Sequence, residues 1–197
     1  TQRRFVAMHS PHVGALETKI LAEDWSGSVE IRSTLDGGVT NSLVERYRDL
    51  ADKHLGTVRK HELSKDSVLL TTETNQSRIP IAMAARSTVW RDGEAVPATH
   101  HLFDESDEIG HDITVRLSVG EAVTVEKIVT VHTGRDVATS EPAVDAERLL
   151  ARLGRFGEVL DGHLTDWVHL WERLSIEFDD FPDELRILRL HLLHLLQ

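Results

Sequence analysis

The chain has 197 residues, 40% apolar and 28% charged, a composition that suits a globular protein and argues against disorder. Lysine and arginine total 22 against 33 acids, giving a net charge of −11 with histidine neutral, and such a surface disfavours nucleic-acid and membrane partners by repelling their phosphates. There is no cysteine, which removes disulfide scaffolds, thiolate zinc sites and a cysteine nucleophile, and fits a cytoplasmic location.

Residues 1–10 lack a basic stretch followed by an apolar run, so no signal peptide is read there. No apolar run approaches the roughly 20 residues that a bilayer crossing needs. Residues 28–33 alternate polar and apolar, then break at Leu35-Asp36-Gly37-Gly38. Gly after a period-2 run is a tight-turn signal, because Gly tolerates positive φ, and Asp36 and Asn41 are placed to cap backbone amides. Residues 42–54 have mixed periodicity and read as a loop with an irregular strand.

Residues 67–74, 79–90, 112–119 and 122–132 read as further strands, with Val123, Val125, Ile128, Val129 and Val131 supplying β-branched content. Arg91-Asp92-Gly93-Glu94 and Val119-Gly120-Glu121 supply turns. Many strands with little helical pattern between them predict an antiparallel β-sandwich, each sheet burying one face.

The period switches near residue 140. Pro142 opens a helical pattern carried by Val144, Leu149, Leu150 and Leu153, and Gly154 is placed to end it. Residues 155–174 continue with Phe156, Val159, Leu160, Leu164, Trp167, Val168 and Trp171 on one side of a helix. Pro182, Asp183 and Glu184 suit the first turn of a last helix, which runs on to Gln197 and is apolar nearly all round. So apolar a helix calls for burial on several sides, more than this chain can supply, so it reads as one layer of a larger helical assembly. The expected division is 1–140 for a sandwich trimmed at its start, 141–174 for a helical linker, and 175–197 for the start of a further domain.

Five stretches carry a resemblance. They are Ser10-Pro11-His12-Val13; residues 29–41, VEIRSTLDGGVTN; Tyr47-Arg48-Asp49-Leu50 with His54-Leu55; Thr72-Glu73-Thr74-Asn75-Gln76-Ser77 with 81–86, IAMAAR; and the end, with Trp167, Trp171, Ile176-Glu177-Phe178-Asp179 and 189–197, RLHLLHLLQ. In this order the chain resembles glycoside hydrolase family 65, the maltose, trehalose, kojibiose and nigerose phosphorylases. Asp36, Gly37, Asn41, Arg86 and Gln197 are its structural marks. Phe178-Asp179-Asp180 stands where the family often has Glu-Gly-Asp, which leaves the disaccharide open.

The resemblance implies a galactose-mutarotase-like super-sandwich, linker helices, and the first helix of a truncated (α/α)6 barrel. It implies an inverting phosphorylase that cleaves an α-linked glucose disaccharide with inorganic phosphate as co-substrate and no metal or organic cofactor. It also implies a homodimer. The general-acid Glu and the phosphate ligands would lie beyond the segment matching Gln197, so no catalytic residue falls in this chain and the chain alone is expected to be inactive. A hydrolase of the same fold is an alternative.

Other residues invite chemistry and are weighed against packing. His100 and His101 are adjacent, and on a strand they point to opposite faces. His191 and His194 have chelating spacing on a helix, but no Glu-His partner motif accompanies them, so packing or exposure is favoured over metal binding. Glu177, Asp179, Asp180, Asp183 and Glu184 read as a loop plus a helix amino end rather than a calcium site. Trp167 and Trp171 read as an apolar stripe between linker helices and sandwich. Trp25, beside Ser26-Gly27, is the one candidate for stacking on a sugar. It is what a second reading would need, a non-catalytic carbohydrate-binding module.

Overall fold

The computed structural model describes residues 1–41, 52–137, 141–174, 176 and 181–196. Among these residues ten strands form two sheets, and every described strand pairing is antiparallel. The larger sheet runs β1 (Gln2–Val6), β2 (Val13–Leu21), β10 (Ala122–Thr133), β6 (Pro80–Arg91), β5 (Ser67–Thr74), β4 (Leu55–Ser64), with the two-residue β7 (Glu94–Ala95) on β6. The smaller sheet runs β3 (Gly27–Asp36), β9 (Glu108–Leu117), β8 (Thr99–Glu105). The strands expected at 67–74 and 122–132 sit within a residue of the observed ones. The strand expected at 112–119 starts earlier, at Glu108, a stretch where Gly110 and His111 lack the β-branched signal.

Two apolar layers lie on the two faces of the larger sheet. Between the sheets pack Val89, Ile113, Val115, Leu117, Val123 and Val125, and further along Leu35, Val68, Leu70, Ala85 and Ile109. On the opposite face, Ala82, Ala84, Leu69, Ile128, Val13 and Ala15 meet Ala146 and Leu150 of α1 (Pro142–Arg152) and Phe156 and Val159 of α2 (Phe156–Leu174). The small side chains of Ala82, Ala84 and Ala146, all without exposed surface, let α1 approach the sheet closely. The expectation that each sheet buries only one face is therefore corrected. The central strands are covered on both sides, which is why Ser67, Val68, Leu69 and Leu70 are buried in succession.

The turn at Asp36-Gly37-Gly38 also differs from expectation. Neither glycine takes positive φ. Gly37 is needed for space: a Cβ there would stand 2.8 Å from Thr57 Oγ1 and 2.9 Å from Thr72 Cγ2. The chain does not turn back as a hairpin; Thr40 instead bridges to Lys53. Positive φ occurs instead at the two other expected turns, at Asp92-Gly93, with φ of 49° and 87°, where β6 folds back onto β7, and at Gly120, with φ of 79°. The loop expected at 42–54 lies mostly outside the described residues.

Pro142 occupies the first turn of α1, as its missing N–H permits, and the helix ends at Arg152, before Gly154. The last helix, α3 (Pro182–Leu196), has no buried residue; Ile187, Leu190 and Leu195 are 55%, 51% and 82% exposed. Its apolar surface, expected to demand burial on several sides, finds little cover among the described residues. No helix among them is long and apolar enough to cross a membrane.

Candidate functional site

The chemistry-bearing side chains gather where α1 and α2 cross the larger sheet. Alternation along β10 sends Glu126, Ile128, Thr130 and His132 toward the helices, and Lys127 toward the smaller sheet. Glu126, 3% exposed, accepts from Arg155 Nη2 at 2.7 Å and from the Phe156 backbone N–H at 3.1 Å, so it holds the amino end of α2. The Arg155 guanidinium lies 3.6 Å over the Trp90 ring and also donates to Gly93 O at 3.2 Å.

One strand position away, Arg86 closes α1. Its guanidinium donates to the carbonyls of Leu150 at 3.3 Å, Leu153 at 2.8 Å and Gly154 at 2.9 Å; Leu150 O also accepts from the Leu153 N–H at 3.2 Å. Thr130 Oγ1 donates to Ala146 O at 2.8 Å from the same face. On the other face, burial pushes the Lys127 ammonium below its usual value, and its Nζ donates to Thr34 O at 2.6 Å.

Two crevices flank this junction. A polar one of about 450 Å³ is lined by Ser10, His12, His132, Asp145, Arg148 and Arg152. His12 and His132 stack at 4.2 Å, nearly parallel. Burial, then the neighbouring His12, push His132 below the ordinary imidazole value. The Thr133 backbone N–H, at 2.6 Å, holds Asp136 below the usual carboxylate range. The second crevice, about 740 Å³, runs between β1, α2 and α3 and is lined by Phe5, Met8, His163, Trp167, Leu193 and Leu196, among others. His163 accepts from the Met8 backbone N–H at 3.1 Å, and burial followed by His9 lowers its pKa.

The residues singled out from the sequence are scattered rather than assembled. Asp36 Oδ1 accepts from the Gly38 N–H at 2.7 Å, and the Asn41 N–H donates to Asp52 O at 2.8 Å. Gln197 lies outside the described residues, as do Glu177, Asp179 and Asp180. Asp183 is exposed beside Arg186 at 3.2 Å. Trp25 is 37% exposed and lines neither crevice. Trp167 lines the crevice beside β1 and stacks on Trp171 with ring centroids 6.1 Å apart, and Trp171 also lies beside Leu174, Ile176 and Arg189, so the aromatic pair runs from the sandwich edge toward α3. His100 packs inward against His111 at 5.7 Å, and His101 is exposed. Among the described residues no group of three His, Asp or Glu side chains is placed to hold a metal ion.

Sequence reasoning missed Glu126, Arg155, His132, Arg148 and Arg152. A signal was available: Glu126-Lys127 interrupts the apolar run of β10, and a charged pair inside a strand covered on both faces must be partnered.

Residues 1–170 match the family model described as glycosyl hydrolase family 65, N-terminal domain. An uncharacterized glycosyl hydrolase of Mycobacterium tuberculosis is 50% identical over all 197 residues, which are 15% of that protein. A kojibiose phosphorylase of Halothermothrix orenii is 27% identical over 99% of the chain and 25% of its own length. A trehalose 6-phosphate phosphorylase of Lactococcus lactis is 26% identical over 88% of the chain and 21% of its own length. The chain thus spans about a quarter or less of the curated relatives it matches. A solved structure provisionally described as a kojibiose phosphorylase from the human microbiome superposes with a TM-score of 0.65 at 11% identity, over 85% of this chain and 21% of that one, a likeness of fold.

Proposed function

This chain belongs to glycosyl hydrolase family 65 through its N-terminal domain, and from that membership we propose that it is the amino-terminal scaffold of an inverting α-glucoside phosphorylase. Supporting it is the alignment of phosphorylase relatives along nearly the whole chain, which is a quarter or less of their length. The remaining length is room for an (α/α)6 barrel, of which α3 is the first helix. On this reading residues 1–140 are the sandwich, 141–174 the linker and 175–197 the start of the barrel.

The described residues favour a scaffolding role. Arg86 and Glu126 spend their charge on the ends of α1 and α2. A group so engaged, and walled off by helices, is not free to transfer a proton to a glycosidic oxygen. In the whole enzyme a Glu outside this chain protonates the leaving oxygen. Phosphate attacks the anomeric carbon from the opposite face, taking the place of the water and base of an inverting hydrolase. The products are β-glucose 1-phosphate and glucose, and the working form is a homodimer in the cytoplasm.

The test compares the 197-residue chain with the product of the gene extended past Gln197. Each is supplied with phosphate and kojibiose, maltose or trehalose. The short chain should release no glucose 1-phosphate; the extended protein should release the β anomer, seen by NMR. Turnover by the short chain, or glucose alone from the extended one, overturns the reading.

A further inference from the structure

The polar crevice between the start of β2, the end of β10 and α1 takes no part in the scaffold just described. We propose that it binds a phosphate group, free or esterified, held between Arg148 and Arg152 of α1 and the imidazole edge of His132. This inference does not rest on the phosphorylase reading.

Arg148 and Arg152 are four residues apart and share one face of α1. Both are exposed, and no ion pair among the described residues involves either guanidinium. In a chain of net charge −11, two such neighbours are a local positive spot. A guanidinium fork matches two phosphate oxygens at once.

The floor supplies the second observation. His132 is 7% exposed, and its Nδ1 is buried with no hydrogen-bond partner. A buried orphan N–H is rarer and costlier than an unused lone pair, so the neutral ring keeps its proton on Nε2. With Nδ1 walled off, the ring offers the crevice an N–H donor. His12 stacks on this ring with its own Nδ1 at 2.9 Å from Val131 O, which fixes an N–H there. Among the described residues these rings join no group of three His, Asp or Glu side chains placed to hold a metal ion. Ser10 adds a hydroxyl to the wall.

The acids nearby do not cancel the two arginines. Asp145 is the one carboxylate on the wall. Asp136 is 3.7 Å from His12 Nδ1 and is held by the backbone N–H and hydroxyl of Thr133 at 2.6 and 3.0 Å. Asp145 disfavours a dianion and can accept a hydrogen bond from the hydroxyl of a monoanionic phosphate, which makes phosphate a better fit than sulfate.

The experiment follows the imidazole signals of the 197-residue chain by NMR during titration with inorganic phosphate, at ionic strength held constant with sodium chloride. A parallel titration uses glucose 1-phosphate. Saturable shifts of His12 and His132 are expected, and the His132 protonation midpoint should rise, because a bound anion stabilises the imidazolium. Tighter binding of the ester identifies it as the source; tighter binding of phosphate identifies the free ion. The double variant R148A/R152A should weaken binding by about tenfold or more. Both side chains are exposed, so the core is untouched; should the variant still unfold, the midpoint shift in the unaltered chain decides. Shifts reproduced by chloride alone, or unchanged affinity in a folded double variant, overturn the proposal.

Discussion

Arg155 and Glu126 form an unequal pair: the guanidinium side chain is 37% exposed, whereas the carboxylate it meets at 2.7 Å is only 4% exposed. The two partners therefore differ in what their loss leaves behind. Without Glu126, Arg155 turns to water and the Phe156 N–H loses its acceptor, a cost of about 1–3 kcal/mol. Without Arg155, a buried carboxylate keeps only the Phe156 N–H, and the cost rises to about 3–5 kcal/mol. Urea denaturation should thus rank Arg155→Ala as the more damaging. Equal losses, or the reverse order, would show that the carboxylate reaches solvent.

Arg86 acts on α1 as Glu126 acts on α2, from the neighbouring strand and at the other helix end. Arg86→Lys keeps the charge, but one ammonium cannot span the carbonyls of Leu150, Leu153 and Gly154. The expected loss is about 1–3 kcal/mol for Lys and no less for Ala. Hydrogen exchange should place the opening at the last turn of α1. A Lys variant as stable as the parent would mean that charge, not the fork, is what matters.

The β-rich body and the switch to helices near Pro142 were legible because period-2 and period-3.6 patterns are local properties. The strands β4 and β8 were not. Each mixes charged residues into its pattern, as in Arg59-Lys60-His61-Glu62 and Asp104-Glu105, because each stands at a sheet edge and faces solvent. The family marks at Asp36, Gly37 and Arg86 were visible as residues, but what Arg86 does was not. Its partners lie 64 to 68 residues away, and no pattern within a strand encodes which carbonyls a guanidinium will meet. Gly37 likewise pointed to a turn, though the crowding that requires it comes from Thr57 and Thr72 on other strands.

Gly110 and Gly157 should respond oppositely to alanine. A Cβ at Gly110 would fall 2.0 Å from Ser33 O and 2.6 Å from Thr34 Cα, both backbone atoms of the paired strand β3. No rotamer relieves that, so Gly110→Ala should cost more than about 3 kcal/mol by splitting β3 from β9. At Gly157, in the first turn of α2, a Cβ meets nothing within 4 Å. Gly157→Ala should stabilise by about 0.4–1 kcal/mol, because the unfolded chain has fewer conformations to lose. Thermal unfolding of both variants checks the pair; a neutral Gly110→Ala would mean that β3 and β9 pair more loosely than the register indicates.

Acid should weaken the fold before any carboxylate is titrated in the unfolded chain. Burial holds His132 and His163 below the ordinary histidine value of 6.5 in the folded state. The unfolded chain then binds those protons first, so their contribution is intact above 6.5 and is lost as pH falls through that value toward the folded ones. Asp136, also lowered, adds a loss of the same sign at lower pH, through its ordinary value of 3.8. In a phosphate-free buffer the urea midpoint should fall between about pH 7.5 and 5.5, and His132→Gln should flatten that slope. Phosphate should flatten it as well, since an anion that raises the folded His132 midpoint removes the difference between the two states. A slope indifferent to both changes would place the acid sensitivity elsewhere and separate His132 from the crevice it lines.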